Sequence, residues 1–284
     1  MIRCNSAIPP LTVTANRLKA VVLDWAGTTV DFGSLAPART MQRLFHGRGI
    51  ELSEPEARQH MGLPKKEHIR GILALPRIRE AWAARNGNPP GENDVEGMYA
   101  HFIPMQFSCL MDYSTVIPGV AETAAALRAR GLKIGSTTGY TREMLDMLVE
   151  SAAEDGYEPD CSLTPAEAVT GRPHPYMMFA CEIRMQVYPM QAIVKVGDTP
   201  ADVLEGLNAG SWAVGVAGTG NAIGLSREEF DSLAEDEKGL RLARARQELV
   251  DAGAHYVIDS VADLLPVLDD IDARMQSEEK VSHE

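Results

Sequence analysis

Two patterns of hydrophobic spacing alternate along this chain. Short apolar runs rich in Val and Ile stop abruptly at polar or small residues: residues 21–23 before Asp24, residues 132–138, and residues 192–197 before Asp198. Residues 212–217 repeat the pattern, and shorter stretches do so at 161–164 and 256–258. Runs of this length suit strands covered on both faces. Between them lie segments with helix punctuation. Pro118-Gly119 precedes an Ala- and Leu-rich helix ending near Gly131, Thr141 opens another to about residue 153, a third follows Pro175, and Thr199-Pro200 starts a fourth ending near Ala209. The alternation predicts an α/β fold with a doubly wound, Rossmann-like parallel sheet.

The alternation is interrupted once. Residues 33–112 show helix starts and turns but no convincing strand. Residues 32–37 read as a flexible connector, and Pro37 suits the first turn of a helix to about Arg48. Ser53-x-x-Glu56 is a capping box, Pro64 starts a further helix, and one more begins near Asn93-x-x-Glu96. The last carries Met98, Phe102, Met105 and Cys109 on one face, with Pro104 as a point of kinking. The expected division is a core of residues 1–33 and 113–284, with an all-helical insertion of residues 34–112 directly after the first strand. Residues 1–19 read as a loose leader, and the Glu- and Ser-containing tail from about Gln276 as frayed.

Composition narrows the classes. With 284 residues, 45% hydrophobic and 24% charged, the chain has the make-up of an ordinary globular protein. A net charge of −13 offers no basic surface for nucleic acid or an anionic membrane. No stretch approaches the ~18 uninterrupted apolar residues of a membrane span. The N-terminus has Arg3 but no apolar core, and Pro9-Pro10 interrupts it, which argues against a signal peptide. Cys4, Cys109, Cys161 and Cys181 lack close metal-ligand spacing, as expected of reduced thiols in a cytoplasmic protein.

The carboxyl ends of strands in open α/β sheets face the ligand crevice, and Asp24 falls there. Asp198 falls at an equivalent place beside Gly197. Each candidate also has an ordinary reading: Asp24 as a turn cap, Asp202 as a helix cap with Thr199, Thr138 as a strand end, Arg172 as a loop residue held extended by Pro173. Their order along the chain sets them apart. Asp24-Trp25-Ala26-Gly27-Thr28-Thr29 resembles the Asp-x-Asp-Gly-Thr nucleophile motif of the haloacid dehalogenase superfamily, with Ala26 replacing the second aspartate. Thr138 with Gly139 resembles the second motif, Arg172 the cation of the third, and Gly197-Asp198-Thr199-Pro200-Ala201-Asp202 the fourth. The insertion lies where this superfamily places a cap.

The resemblance implies Asp24 as nucleophile, Thr138, Gly139 and Arg172 on the phosphoryl group, and Mg²⁺ on Asp24, the Ala26 carbonyl and Asp198, with Asp202 holding a metal-bound water. In superfamily phosphatases the second aspartate protonates an alkoxide leaving group, so Ala26 argues against an ordinary phosphate ester. Met61-Gly62-Leu63-Pro64-Lys65-Lys66-Glu67-His68 resembles the cap motif of the carbon–phosphorus-cleaving branch, in which a lysine forms a Schiff base. Lys65 is the matching position. An iminium there would accept the electrons of a breaking C–P bond. Burial and neighbouring Lys66 are expected to lower its pKa, and His68, on the same helical face, to move protons. Met61 and Tyr140 are pocket neighbours by the same resemblance.

The implied activity is hydrolysis of phosphonoacetaldehyde in 2-aminoethylphosphonate breakdown, by a cytoplasmic homodimer with a small-molecule partner and no nucleic acid or membrane. The nearest rival is a Mg-dependent phosphatase or phosphomutase of the superfamily. A nicotinamide-dependent oxidoreductase is weaker, since after Gly218-Thr219-Gly220 the next glycine, Gly224, falls one residue late for the dinucleotide fingerprint. A non-catalytic binding protein on the same fold conflicts with the complete set of charged motif residues.

Overall fold

The computed structural model describes residues 18–282. Most of the expected leader, residues 1–17, lies outside them, with Cys4. Six strands form one parallel sheet: β1 (Ala20–Leu23), β2 (Lys133–Thr137), β3 (Cys161–Leu163), β4 (Ile193–Gly197), β5 (Trp212–Val216) and β6 (Tyr256–Ile258). Their spatial order is β3-β2-β1-β4-β5-β6. The chain builds outward from β1 on one side, then returns to build outward on the other. The switch point therefore lies between β1 and β4, where Leu23 pairs with Val196.

Period-2 alternation sorts the strand residues between two helical layers. Val21, Leu23, Ile134, Val194 and Val196 pack beneath α6 (Val120–Ala129), α7 (Arg142–Glu154) and α12 (Leu264–Ser282). Ala20, Val22 and Ile193 face α8 (Tyr176–Met185), while Ala213 faces α9 (Pro200–Ala209) and α11 (Glu235–Asp251). The short α10 (Arg227–Asp231) precedes α11. The predicted strands and helices up to residue 209 appear within a residue or two of their expected bounds, but the helix of residues 76–86 was not predicted. Helices α10, α11 and α12 carried no clear sequence signal, and the tail expected to fray from Gln276 is helical to Ser282.

The insertion is all helical: α1 (Leu35–His46), α2 (Glu54–Arg58), α3 (Lys65–Ala74), α4 (Pro76–Asn86) and α5 (Glu92–Cys109). It forms a cap with its own apolar cluster, including Met41, Phe45, Ile69, Ile72, Trp82, Met98 and Phe102. The buried stripe of α5 is Val95, Met98, Phe102 and Gln106, and Pro104 lies within the unbroken helix. Met98 and Phe102 are buried inside the cap, and Met105 packs against the same cluster.

Residues 32–37 are not a loose connector. Asp31, at φ 57°, accepts from the Leu35 and Ala36 amides at 2.9 and 3.0 Å and so caps α1. Gly33 donates to the Thr219 carbonyl at 2.8 Å. Arg58 of the cap donates to the carbonyls of Gly33 and Ser34, to Asn221 Oδ1 at 3.0 Å and to the Gly224 carbonyl. Below it the cap loop rests on the core at Gly62, whose φ is +86° and where a Cβ would lie 2.2 Å from Thr199 Oγ1. Arg58→Ala is expected to leave these carbonyls short of donors and to cost about 1–3 kcal/mol. A lowered urea midpoint with faster amide exchange at Leu35 and Ala36 is the expected readout; unchanged exchange there would count against this account of the linker.

Candidate active site

Asp24 directly follows β1, and its amide donates to the Val196 carbonyl of β4 at 2.9 Å. Trp25, fully buried, locks the following turn: its indole Nε1 donates to Ser136 Oγ at 2.9 Å and its ring stands edge-on to Tyr157 at 5.5 Å. Thr29 Oγ1 donates to the Asp24 carbonyl at 2.9 Å. The Asp24 carboxylate is thereby fixed in a narrow cleft between core and cap, shared with Ala26, Met61, Lys65, Thr138 and Arg172. Gly139, Tyr140 and Asp198 also line it. His68 and Asp202 do not reach its wall.

Arg172 is the electrostatic centre. Its side chain is 1% exposed, and Nη2 donates to Asp24 Oδ1 at 2.7 Å and to the Thr137 carbonyl at 2.6 Å. Nη1 lies 2.9 Å from Asp202 Oδ1. Asp202 is more fully committed than its sequence position suggested. Its Oδ1 also meets Lys195 Nζ at 2.9 Å, while Oδ2 accepts from Thr199 Oγ1 at 2.5 Å and from the Thr199 amide at 3.3 Å. The helix-cap and active-site readings of Asp202 are both realised: Oδ1 makes its two ion contacts but accepts no hydrogen bond, and so keeps acceptor capacity.

Asp24, Asp198 and Asp202 each bring an oxygen within 4.8 Å of the others. Burial, then neighbouring charge, pushes Asp198 well above the ordinary carboxylate range. Asp24 is also raised, by burial against the opposing pull of Arg172. The donor set suits a hard divalent cation, whose charge would keep both groups ionised. Space is provided by Gly27: with φ +82°, a Cβ there would stand 2.2 Å from Asp198 Oδ2. Asp198 is aimed by the Asn221 amide, which donates to Oδ2 at 2.7 Å. Asp24, Asp198 and Asp202 are the clustered carboxylates that could hold such an ion.

Lys65, the first residue of α3, is 7% exposed, with Nζ 5.1 Å from the centre of the Tyr140 ring. Burial lowers its pKa to about 8, against an upward pull from Asp24. The expected help from Lys66 is absent, because that ammonium pairs with Glu96 at 2.7 Å; Arg172 is the repelling cation. His68 is fully buried, its Nε2 donating to the Ala57 carbonyl at 2.8 Å, and Nδ1 has no partner. Burial drives its pKa down to about 3, so the imidazole is neutral and ill-suited to a protonated shuttle. The phenol of Tyr140, raised well above its ordinary value by burial, stays protonated.

Sequence reasoning missed several groups. Ser34 and Pro37 of α1's first turn line the cleft. Lys195 and Glu205 are buried beside Arg172. A lysine interrupting an otherwise apolar central strand was the available signal for Lys195; Glu205 looks like any polar helix residue.

Fold and site together define the class. The chain is a hydrolase of the haloacid dehalogenase-like hydrolase family, whose model matches residues 18–210. Within that family it belongs with the phosphonoacetaldehyde hydrolases. The enzyme of that name from Paraburkholderia phytofirmans is 45% identical over 263 residues, covering 93% of this chain and 98% of its own. That from Bacillus cereus strain G9842 is 43% identical over 256 residues, covering 90% and 97%. The crystal structure of a phosphonoacetaldehyde hydrolase-like protein from Oleispira antarctica matches with TM-score 0.91 and 40% identity over 98% of both chains. No helix among the described residues is long and apolar enough to cross a membrane.

The state of Lys65 can be titrated directly. With a pKa near 8, its free-amine fraction should rise about tenfold per pH unit up to pH 8 and then level off. Brief methylation by formaldehyde and cyanoborohydride, read by peptide mass, should follow that curve at Lys65, while Lys66, held protonated by Glu96, stays nearly unmodified. Equal labelling of the two lysines at pH 7 would refute the assignment. The same depression means that the unfolded chain, with a lysine near 10.5, binds more protons between pH 8 and 10.5, so this group's contribution to stability grows as pH rises through that window.

Proposed function

We propose that this chain hydrolyses the carbon–phosphorus bond of phosphonoacetaldehyde to acetaldehyde and phosphate, as part of 2-aminoethylphosphonate breakdown. The observation that carries the reading is the pairing, in one cleft, of a buried lysine with a pKa near 8 and the Asp24 carboxylate, with no carboxyl group at Ala26. The relatives bearing that name support it. Residues 34–112 act as the cap domain and 1–33 with 113–284 as the catalytic core.

Lys65 Nζ condenses with the aldehyde carbon, releasing water, and the imine nitrogen takes up a proton. Asp24 attacks phosphorus; as the P–O bond forms, the C–P electrons move onto the carbon chain and the iminium becomes a neutral enamine. No alkoxide forms, so the acid absent at Ala26 is not needed. The enamine is then protonated at carbon and the resulting imine hydrolysed, freeing acetaldehyde and Lys65. A second water cleaves the aspartyl-phosphate. One water is released and two are consumed, giving the net hydrolysis.

Arg172 and the backbone and hydroxyl donors at Thr138 and Gly139 bind the phosphoryl oxygens. Met61 and Tyr140 wall the cleft around Lys65, and His68 lies behind it as a neutral imidazole. Mg²⁺, held by Asp24, Asp198 and the Ala26 carbonyl, would supply charge that offsets the carboxylates and the phosphonate. Asp202 serves this site by fixing Arg172. A homodimer and a cytoplasmic location belong to the same proposal, by likeness to the family.

Borohydride added with phosphonoacetaldehyde should trap a secondary amine on Lys65, found by peptide mass. Lys65→Arg should abolish trapping and lower phosphate release by about a thousandfold or more, since guanidinium stays protonated. Asp24→Ala should stop phosphate release yet still trap. Near-normal release by Lys65→Arg would sink the Schiff-base reading; release from sugar phosphates instead would favour a phosphatase. Exhaustive chelation should remove turnover and Mg²⁺ restore it, whereas full activity without divalent metal would contradict the metal assignment.

A further inference from the structure

Outside the residues named by motif, the interior holds a second ionic cluster. Lys195, on the central strand β4, and Glu205, on α9, are 1% and 0% exposed at their side chains. Glu205 Oε2 accepts from Arg172 Nε at 3.0 Å and from Thr137 Oγ1 at 2.9 Å, and lies 3.3 Å from Lys195 Nζ. Lys195 donates to Thr137 Oγ1 at 2.9 Å and meets Asp202 Oδ1 at 2.9 Å. Close packing of α9 on β4 makes this possible: a Cβ on Gly206 would stand 2.8 Å from Lys195 Cβ.

We infer that Lys195 and Glu205 are positioning residues that hold the Arg172 guanidinium in its working orientation independently of Asp24, an inference that rests on the roles proposed above for Asp24 and Lys65. A planar guanidinium needs more than one anchor to be aimed. Arg172 has one edge on Asp24, one on Asp202 and one on Glu205. Asp24 is an unreliable anchor, because its carboxylate loses charge when it becomes an acyl phosphate. Asp202 and Glu205, three residues apart on one helix, persist through that step. Lys195 spans both acids, so the two cations Arg172 and Lys195 balance the two anions Asp202 and Glu205. Asp24 and Asp198 are then left to face a divalent ion. A buried ion pair kept only for stability gains little over apolar packing.

The test compares phosphate release with imine trapping in the full-length protein. Glu205→Leu should lower kcat by about a hundredfold, the scale of a small misplacement of a catalytic group, with KM within about threefold. Borohydride trapping on Lys65 should stay at the wild-type level. Glu205→Gln keeps an acceptor for Arg172 Nε and should recover kcat to within about tenfold of wild type. If the leucine variant does not fold, Lys195→Met decides, with an expected loss of about tenfold or more in kcat and unchanged trapping. Release within threefold of wild type in the folded variants would overturn the inference. So would a parallel fall in trapping and release, which marks general disruption. Absence of trapping in the wild-type protein would instead refute the proposed function itself.

Discussion

Everything at this site answers to one electrostatic constraint: carboxylates converge at the ends of two adjacent strands, out of water. Asp24 and Asp198 directly follow β1 and β4, and the sheet topology places those strands side by side. Like charges held so close and so deep resist ionisation. The chain answers with Arg172 at 2.7 Å from Asp24, a second cation at Lys195, and an oxygen-lined position suited to a divalent ion. In the proposed reaction these same groups would keep the Asp24 carboxylate charged and attract the phosphonate. The fold would place the acids together without that answer, but they would be protonated and inert.

How much of this was legible depended on whether a residue's role is local. Asp24, Asp198 and Thr138 follow apolar runs, so strand period and strand end fix their place before any tertiary contact is known. The cap was legible because Pro37, Pro64 and the Ser53–Glu56 box mark helix starts, and residues 33–112 lack strand pattern. Glu205 and Arg58 left no such trace. On sequence alone both are charged residues on helices, the usual occupants of solvated surface. Only packing at Gly206 and at the Asn221–Gly224 loop turns them inward. Helix α11 was missed for a related reason: 17 residues with only Ala245 and Leu249 buried show little apolar stripe.

Ala26 and Lys65 show how chemistry is moved between parts of one fold. In superfamily phosphatases an acid two residues after the nucleophile serves the leaving group from the core. Here that place is a methyl group, and in the proposed reaction the group that stabilises the leaving carbon, Lys65, comes from the cap. A lysine suits that task only when neutral, and burial is what lowers its pKa to about 8. Cap seating and lysine reactivity are therefore one property: a cap lifted from the core would return Lys65 to water and to its protonated state.

That coupling extends to the metal-binding side of the site through Asn221. Its amide donates to Asp198 Oδ2 at 2.7 Å, and its side-chain oxygen accepts from Arg58 of the cap at 3.0 Å. One loop residue thus touches both the carboxylate proposed to hold the ion and the arginine that ties the cap to its linker. Withdrawal of Arg58 would free Asn221 and, with it, one of the constraints on Asp198. The geometry that depresses the lysine pKa and the geometry that aims the carboxylate share this contact, so they are assembled by the same seating of cap on core.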